Sequence, residues 1–97
     1  MNDNITKDPV IKTIVQIISD ALSVDADGIG PETKLFRELE AESIDVVDVR
    51  FRMEQSFGLR IDHRDLFTQL GDGLSNEEIA DRFTVEYLAE YVRNRME

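Results

Sequence analysis

A chain of 97 residues can bury one modest core but has no room for a deep cleft between domains, so we expect a single domain over residues 1–97. Its formal net charge of −10 argues against binding to nucleic acid or anionic membranes and favours basic partner surfaces. Because cysteine is absent, the protein has no disulfide, no thiolate metal site and no thiol of its own. No stretch is apolar enough to span a bilayer and no signal-like segment opens the chain, which favours a cytoplasmic location.

The first predicted helix begins at Pro9, because Asp8 is a suitable N-cap and proline is favoured at the first helical position. The polar residues 1–7 that precede it are expected to be flexible. Apolar residues then recur at helical spacing, which predicts a heavily buried helix. These residues are Val10, Ile11, Ile14, Val15, Ile17, Ile18 and Leu22.

Residues 23–42 are predicted to form a long loop. Gly28, Gly30 and Pro31 mark turns and interrupt any helical pattern. Four apolar residues are expected to hold the loop on the core: Ile29, Leu35, Phe36 and Leu39. A loop of this length favours a functional role over a neutral connection.

The loop ends at a predicted helix from Ser43 to Phe57, with Ser43 as its N-cap and Gly58 as the glycine that ends it. One apolar stripe is expected to face the core: Val46, Val49, Met53 and Phe57. A second apolar stripe runs beside it and is not required by the core: Ile44, Val47 and Phe51. The stretch from Glu38 to Asp48, with both ends included, contains five acids and no base.

The rest of the chain predicts three further helices. Asp62 is a candidate cap for a segment from Arg64 to Leu70, which ends at Gly71. Ser75 and Glu78 form a capping-box pattern for a short helix from about Asn76 to Arg82. Thr84 is a cap for the last helix, whose buried side is Val85, Leu88, Tyr91 and Val92. Helical patterns without strand alternation predict an all-α bundle.

The setting of Ser43 resembles the acyl carrier proteins, in which a serine opening the second helix carries 4′-phosphopantetheine. The usual tripeptide of that family is Asp-Ser-Leu, and the match here is Glu42-Ser43-Ile44. The likeness continues through Asp45, Val47, Glu54, Phe57 and Ile61. The resemblance implies a four-helix acyl-carrier-like bundle with a long loop between helices 1 and 2. The segment between Ile61 and Thr84 departs from the family pattern, because it adds an extra short helix before the last one. It implies a carrier and not an enzyme, with the cofactor attached covalently to Ser43 from coenzyme A.

The same resemblance implies that the protein offers its second helix to enzymes. The implied partners are a phosphopantetheinyl transferase and acyl-transferring or synthase enzymes with basic docking surfaces. The protein itself is expected to be a monomer. The implied recognition residues are Glu42, Ile44, Asp45, Val47, Asp48, Phe51 and Glu54. Arg50 and Arg52 are a departure, because such helices are commonly more uniformly acidic; ion pairs with Glu54 and Asp48 are possible at i,i+4 spacing.

Several alternatives are weighed against this interpretation. A serine before an apolar helical run is usually a simple N-cap, and a run of acids is usually a solvated face. An acidic helical adaptor that binds a basic protein without a cofactor explains the charge, but it leaves the long loop unexplained. His63 has no assignable catalytic partner, and neither glycine-bearing acidic patch has the ligand spacing of an EF-hand, so no metal or catalytic site is predicted. The cargo is left open between fatty acid, polyketide, amino-acid and specialised lipid pathways.

Overall fold

A computed structural model describes residues 8–96, and the prediction that residues 1–7 are flexible lies outside the described residues. Within that range the chain forms five α-helices and one short 3-10 turn. The helices are α1 (Pro9–Leu22), α2 (Ser43–Phe57), α3 (His63–Thr68), α4 (Asn76–Arg82) and α5 (Val85–Met96), and the 3-10 turn is Ala26–Gly28. This confirms the predicted all-α bundle with an extra short helix before the last. None of the described helices has the length and apolar character needed to cross a membrane.

Helix α1 forms as the sequence predicts. The Asp8 carboxylate accepts hydrogen bonds from the amides of Val10 (2.9 Å) and Ile11 (3.4 Å), and Pro9 takes the first helical position. The helix ends at Ser23, which adopts the left-handed conformation with φ 59°. Four isoleucines form its buried face, which packs against both α2 and α5: Ile11, Ile14, Ile17 and Ile18.

Helix α2 has the predicted bounds but differs from the prediction at its first turn. The N-cap is Glu42 and not Ser43, which is the first helical residue. The reason is the side chain of Asp45, which accepts a hydrogen bond from the Glu42 amide at 2.8 Å and so fixes Glu42 as the capping residue. Gly58 ends the helix in the left-handed conformation (φ 66°), as predicted.

The core-facing stripe of α2 is confirmed for three of its four residues. Val46, Val49 and Met53 are buried. Phe57 is only half-buried, because it lies in the last helical turn at the edge of the core. The prediction that Phe57 belongs to the fully buried set was therefore wrong.

The long loop is held down by apolar anchors and by backbone hydrogen bonds. Ile29 and Leu35 are buried, while Phe36 and Leu39 are half-buried against the same core. The Leu35 amide donates to the Phe83 carbonyl (3.1 Å) and the Val85 amide to the Thr33 carbonyl (3.2 Å). These bonds tie the loop to the start of α5, a pairing that the sequence pattern did not predict.

Helices α3 to α5 follow the predicted capping residues. Asp62 caps α3, which begins one residue earlier and ends two residues earlier than predicted. At α4 the Ser75 amide donates to the Glu78 carboxylate (2.9 Å) and the Glu78 amide to the Ser75 hydroxyl (3.1 Å), which confirms the capping box. The Thr84 hydroxyl accepts from the Tyr87 amide at 3.1 Å at the start of α5. The predicted buried side of α5 is confirmed at Val85, Leu88, Tyr91 and Val92.

Candidate functional site

Ser43 lies on the surface at the first residue of α2, where the long loop delivers it. Two residues earlier, Ala41 is buried and its amide donates to the Leu35 carbonyl at 3.0 Å. The Ser43 side chain is exposed, and within residues 8–96 its hydroxyl has no hydrogen-bond partner. The fold thus anchors the chain immediately before a free serine hydroxyl.

The backbone around Ser43 suits an anionic substituent. Neither the Ser43 amide nor the Ile44 amide has an acceptor in the described part of the chain. These amides lie at the N-terminus of a 15-residue helix, where the helix dipole also places positive potential. A phosphate group attached to the Ser43 oxygen fits this environment, because free amides and the dipole both favour negative charge.

Glu40 adopts a conformation that sequence reasoning missed. Its φ is 56°, in the left-handed region that favours glycine, and a side chain there costs about 1–2 kcal/mol. The turn at Glu40 lets Ala41 enter the core while its amide reaches Leu35. No sequence signal indicates this turn, because the residue that ordinarily marks it is a glycine.

The second apolar stripe of α2 is exposed to solvent. The exposed fractions are 72% for Ile44, 43% for Val47 and 53% for Phe51. Three large apolar side chains uncovered on one helix face form a patch of the kind that partners cover. The prediction that the core does not require this second stripe is confirmed.

The predicted acidic recognition residues are in different situations. Glu42 is exposed beside Ser43 and forms no ion pair within residues 8–96. Asp45 uses one carboxylate oxygen to cap the helix through the Glu42 amide. Asp48 accepts a hydrogen bond from Arg52 at 2.9 Å, which confirms the predicted i,i+4 pair.

Glu54 is engaged by the connection between α2 and α3. Its carboxylate accepts a hydrogen bond from the Ile61 amide at 2.7 Å and pairs with Arg50 at 3.2 Å. Arg50 in turn donates to the Ile61 carbonyl at 3.0 Å, so the two side chains hold both polar groups of Ile61. Only 17% of the Glu54 side chain is exposed. The structure therefore brings Glu42, Asp45 and Asp48 to the apolar patch and places Glu54 against the α2–α3 connection.

His63 is the first residue of α3 and is half-buried, with its ring 5.2 Å from that of Phe67. Its Nδ1 atom is buried and without a hydrogen-bond partner in the described part of the chain. Across residues 8–96, no group of three or more histidine, cysteine, aspartate or glutamate side chains converges in a way that could hold a metal ion.

Comparison with known proteins explains this arrangement. Residues 12–71 match the family model described as a phosphopantetheine attachment site. The acyl carrier protein of Thermotoga maritima is 33% identical over 72 residues, which cover 72% of this chain and 89% of that protein. The chain belongs to the acyl carrier protein family. The acyl carrier protein of Rubrobacter xylanophilus is 29% identical over 89% of this chain and 90% of its own length, and that of Nitratidesulfovibrio vulgaris is 38% identical over 58% and 74%.

Membership of this family defines the protein as a carrier and not an enzyme, with covalently attached 4′-phosphopantetheine as its cofactor. A carrier of this family works with the transferase that attaches the arm and with the enzymes that use the carried groups. The family match ends at Gly71, so α4 lies in the segment beyond it.

Proposed function

We propose that Ser43 carries the phosphopantetheine arm and that the protein holds acyl intermediates as thioesters for biosynthetic enzymes. The observation that carries this proposal is the free, exposed Ser43 hydroxyl at the start of α2, beside two backbone amides without acceptors in the described chain. The arm supplies the thiol on which acyl groups are held. Because the chain has no cysteine, that thiol has no competitor within the protein.

The residues of this chain contribute position and not reaction chemistry. Ala41 and Leu35 fix the loop just before Ser43, and the first turn of α2 offers its amides to the phosphate. The Ser43 hydroxyl stays in solvent, where a transferase can reach it. The proposed cargo is an acyl group of fatty acid synthesis or of a specialised lipid or polyketide pathway.

We propose further that enzymes with basic docking surfaces bind the patch beside Ser43. The apolar part of that surface is Ile44, Val47 and Phe51, and its acids are Glu42, Asp45 and Asp48. Apolar contact supplies affinity, while the acids steer basic partners and make association sensitive to salt. Glu54 was predicted to belong to this surface; since its carboxylate holds Ile61, the proposal rests on the other six residues. The single domain, the monomeric state and the cytoplasmic location remain predictions.

The test is incubation of the protein with coenzyme A and a broad-specificity phosphopantetheinyl transferase, followed by intact-mass measurement. We expect a single phosphopantetheine increment on the wild type and none on Ser43→Ala. Ser56→Ala is the matched control, because Ser56 is an exposed serine on the same helix and should leave the increment unchanged. Ser43→Ala should keep its helical circular dichroism, because the cap of α2 is formed by Glu42 and Asp45.

The adaptor hypothesis predicts the opposite outcome. An acidic adaptor would gain no increment from any transferase and would show no reactive thiol afterwards. Folded wild-type protein that stays unmodified with several transferases would overturn the assignment of Ser43. Modification of Ser43→Ala would move the attachment site to another residue.

A further inference from the structure

The exposed surface of α2 carries a cation among its acids. Arg52 Nε lies 2.9 Å from Asp48 Oδ1, and the two side chains are 43% and 46% exposed. Both residues therefore remain at the surface while their charges neutralise each other. Asp48 lies four residues after Ile44 and three before Phe51 in the helix, so it adjoins the apolar patch that we propose as the docking surface.

Glu42 differs from Asp48 in this respect. It is exposed next to Ser43, and within residues 8–96 no cation pairs with it. Two further exposed acids on the approaching loop, Glu38 and Glu40, likewise form no ion pair in the described chain. Glu42 at the start of the helix therefore keeps an unpaired charge within residues 8–96, whereas Asp48 and Arg52 form a neutral pair.

We propose that Arg52 is a specificity-determining residue that weakens the attraction of Asp48 for basic partners. The inference rests on the proposed docking function of this surface. The partner that fits is a protein whose apolar patch covers Ile44, Val47 and Phe51 and whose cations lie opposite Glu42. A partner that places its main cation opposite Asp48 must first separate the pair and leave Arg52 beside its own positive charge.

The size of the effect follows from the exposure of the pair. Exposed ion pairs contribute little individually, and i,i+4 pairs on a helix are of this kind. Removal of Arg52 should therefore leave the helix folded while it raises the negative charge that partners meet. We expect a gain in association of about two- to fivefold with a basic partner, given the usual strength of an exposed pair.

The test measures kinetics of phosphopantetheine transfer by a broad-specificity transferase at low ionic strength. Arg52→Ala should lower the KM for the carrier by about two- to fivefold and leave kcat unchanged, because only docking is altered. Arg60→Ala is the matched control, since Arg60 is an exposed arginine that forms no ion pair within residues 8–96. The double variant Asp48→Asn/Arg52→Ala should return the KM to about the wild-type value, because it lacks both charges and so resembles the neutral pair.

Three outcomes would overturn the proposal. These are an unchanged KM for Arg52→Ala, an equal fall in KM for Arg60→Ala, and a KM of the double variant as low as that of Arg52→Ala. The second would reduce the effect to the net charge of the protein, and the third would show that the Asp48 carboxylate plays no part in it. The mass increment on wild-type Ser43 is read separately, so failure of this proposal is distinguishable from failure of the attachment site.

Discussion

Helix α2 and the segment from Ile61 to Thr84 are held to the molecule in different ways. Helix α2 buries Val46, Val49 and Met53, whose exposed fractions are 1%, 2% and 0%. Helix α4, within the second segment, has no buried residue. Its tethers are polar: Arg37 contacts Asp81 at 2.6 Å, and Arg82 donates to the Leu70 carbonyl at 3.4 Å. Apolar burial thus fixes the helix that presents Ser43, whereas surface contacts secure α4.

Helix α3 lies between these extremes. Leu66 is buried, while the hydroxyls of two tyrosines on α5 hold the polar side of the helix. Tyr87 donates to the Leu66 carbonyl, and Tyr91 donates to the Asp65 carboxylate at 2.8 Å. This hydrogen bond from Tyr91 leads the causes that keep the pKa of Asp65 below its usual value. The comparison shows that hydrogen bonds and burial together position a helix of only six residues.

Met53→Ala should have the largest effect on stability, because the side chain is fully buried between α2 and the core. We expect the free energy of unfolding to fall by about 2–5 kcal/mol, measured by urea denaturation. Phe57→Ala should cost less, since its ring is only half-buried. Phe51→Ala is the control on the exposed face of the same helix and should change stability by less than about 0.5 kcal/mol. Equal losses of stability for Met53→Ala and Phe51→Ala would contradict the description of α2 as a helix with one buried and one exposed apolar stripe.

Glu54→Ala should have an intermediate effect, because it breaks the connection between α2 and α3. The Ile61 amide and Arg50 both lose a charged partner, and hydrogen bonds to charged groups contribute about 1.5–3 kcal/mol. We expect a loss of about 1–3 kcal/mol in thermal or urea unfolding. The neighbouring Gln55→Ala, at an exposed position, should remain near wild type. If both variants were equally stable, the role assigned to Glu54 in holding Ile61 would be wrong.

Ionisation of the Tyr87 hydroxyl should change the free energy of unfolding least, and only at high pH. Burial, with neighbouring Tyr91 and Asp65, raises the pKa of Tyr87 from its ordinary value of 10.0 to about 12. The unfolded chain therefore loses this proton first, so the contribution to stability is complete below pH 10 and is lost as pH rises through about 12. Because the side chain is half-buried, we expect only about 1 kcal/mol across this range.

The measurement compares urea midpoints at pH 8 and pH 11 for wild type and Tyr87→Phe. The variant keeps the ring but cannot ionise, so its midpoint should fall less between the two pH values. Burial also raises the pKa of Tyr91, which leaves a residual slope in the variant. An identical pH dependence in both proteins would assign the loss of stability to other groups.

Much of the fold could be predicted because the relevant signals are local. Asp8 with Pro9, Ser75 with Glu78, and Gly58 each act within a few residues, and the structure confirms all three. Helical periodicity also distinguished the two stripes of α2, since the same 3.6-residue repeat governs sequence and geometry. The candidate site could be predicted for the same reason. Ser43 stands at the start of a predicted helix, and the phase of that helix leaves Ser43 exposed beside Ile44.

The sequence by itself determined the helices, most of their ends and the family to which the chain belongs, because short-range capping, periodicity and residue matches are written along the chain. Only the tertiary structure decided which polar groups meet across it. The inward engagement of Glu54 requires Ile61 to return beside α2, and the anchoring of the loop requires Leu35 to meet Phe83, 48 positions later. The left-handed turn at Glu40 likewise depends on the burial of Ala41. Such contacts depend on how helices pack, and no local pattern specifies them.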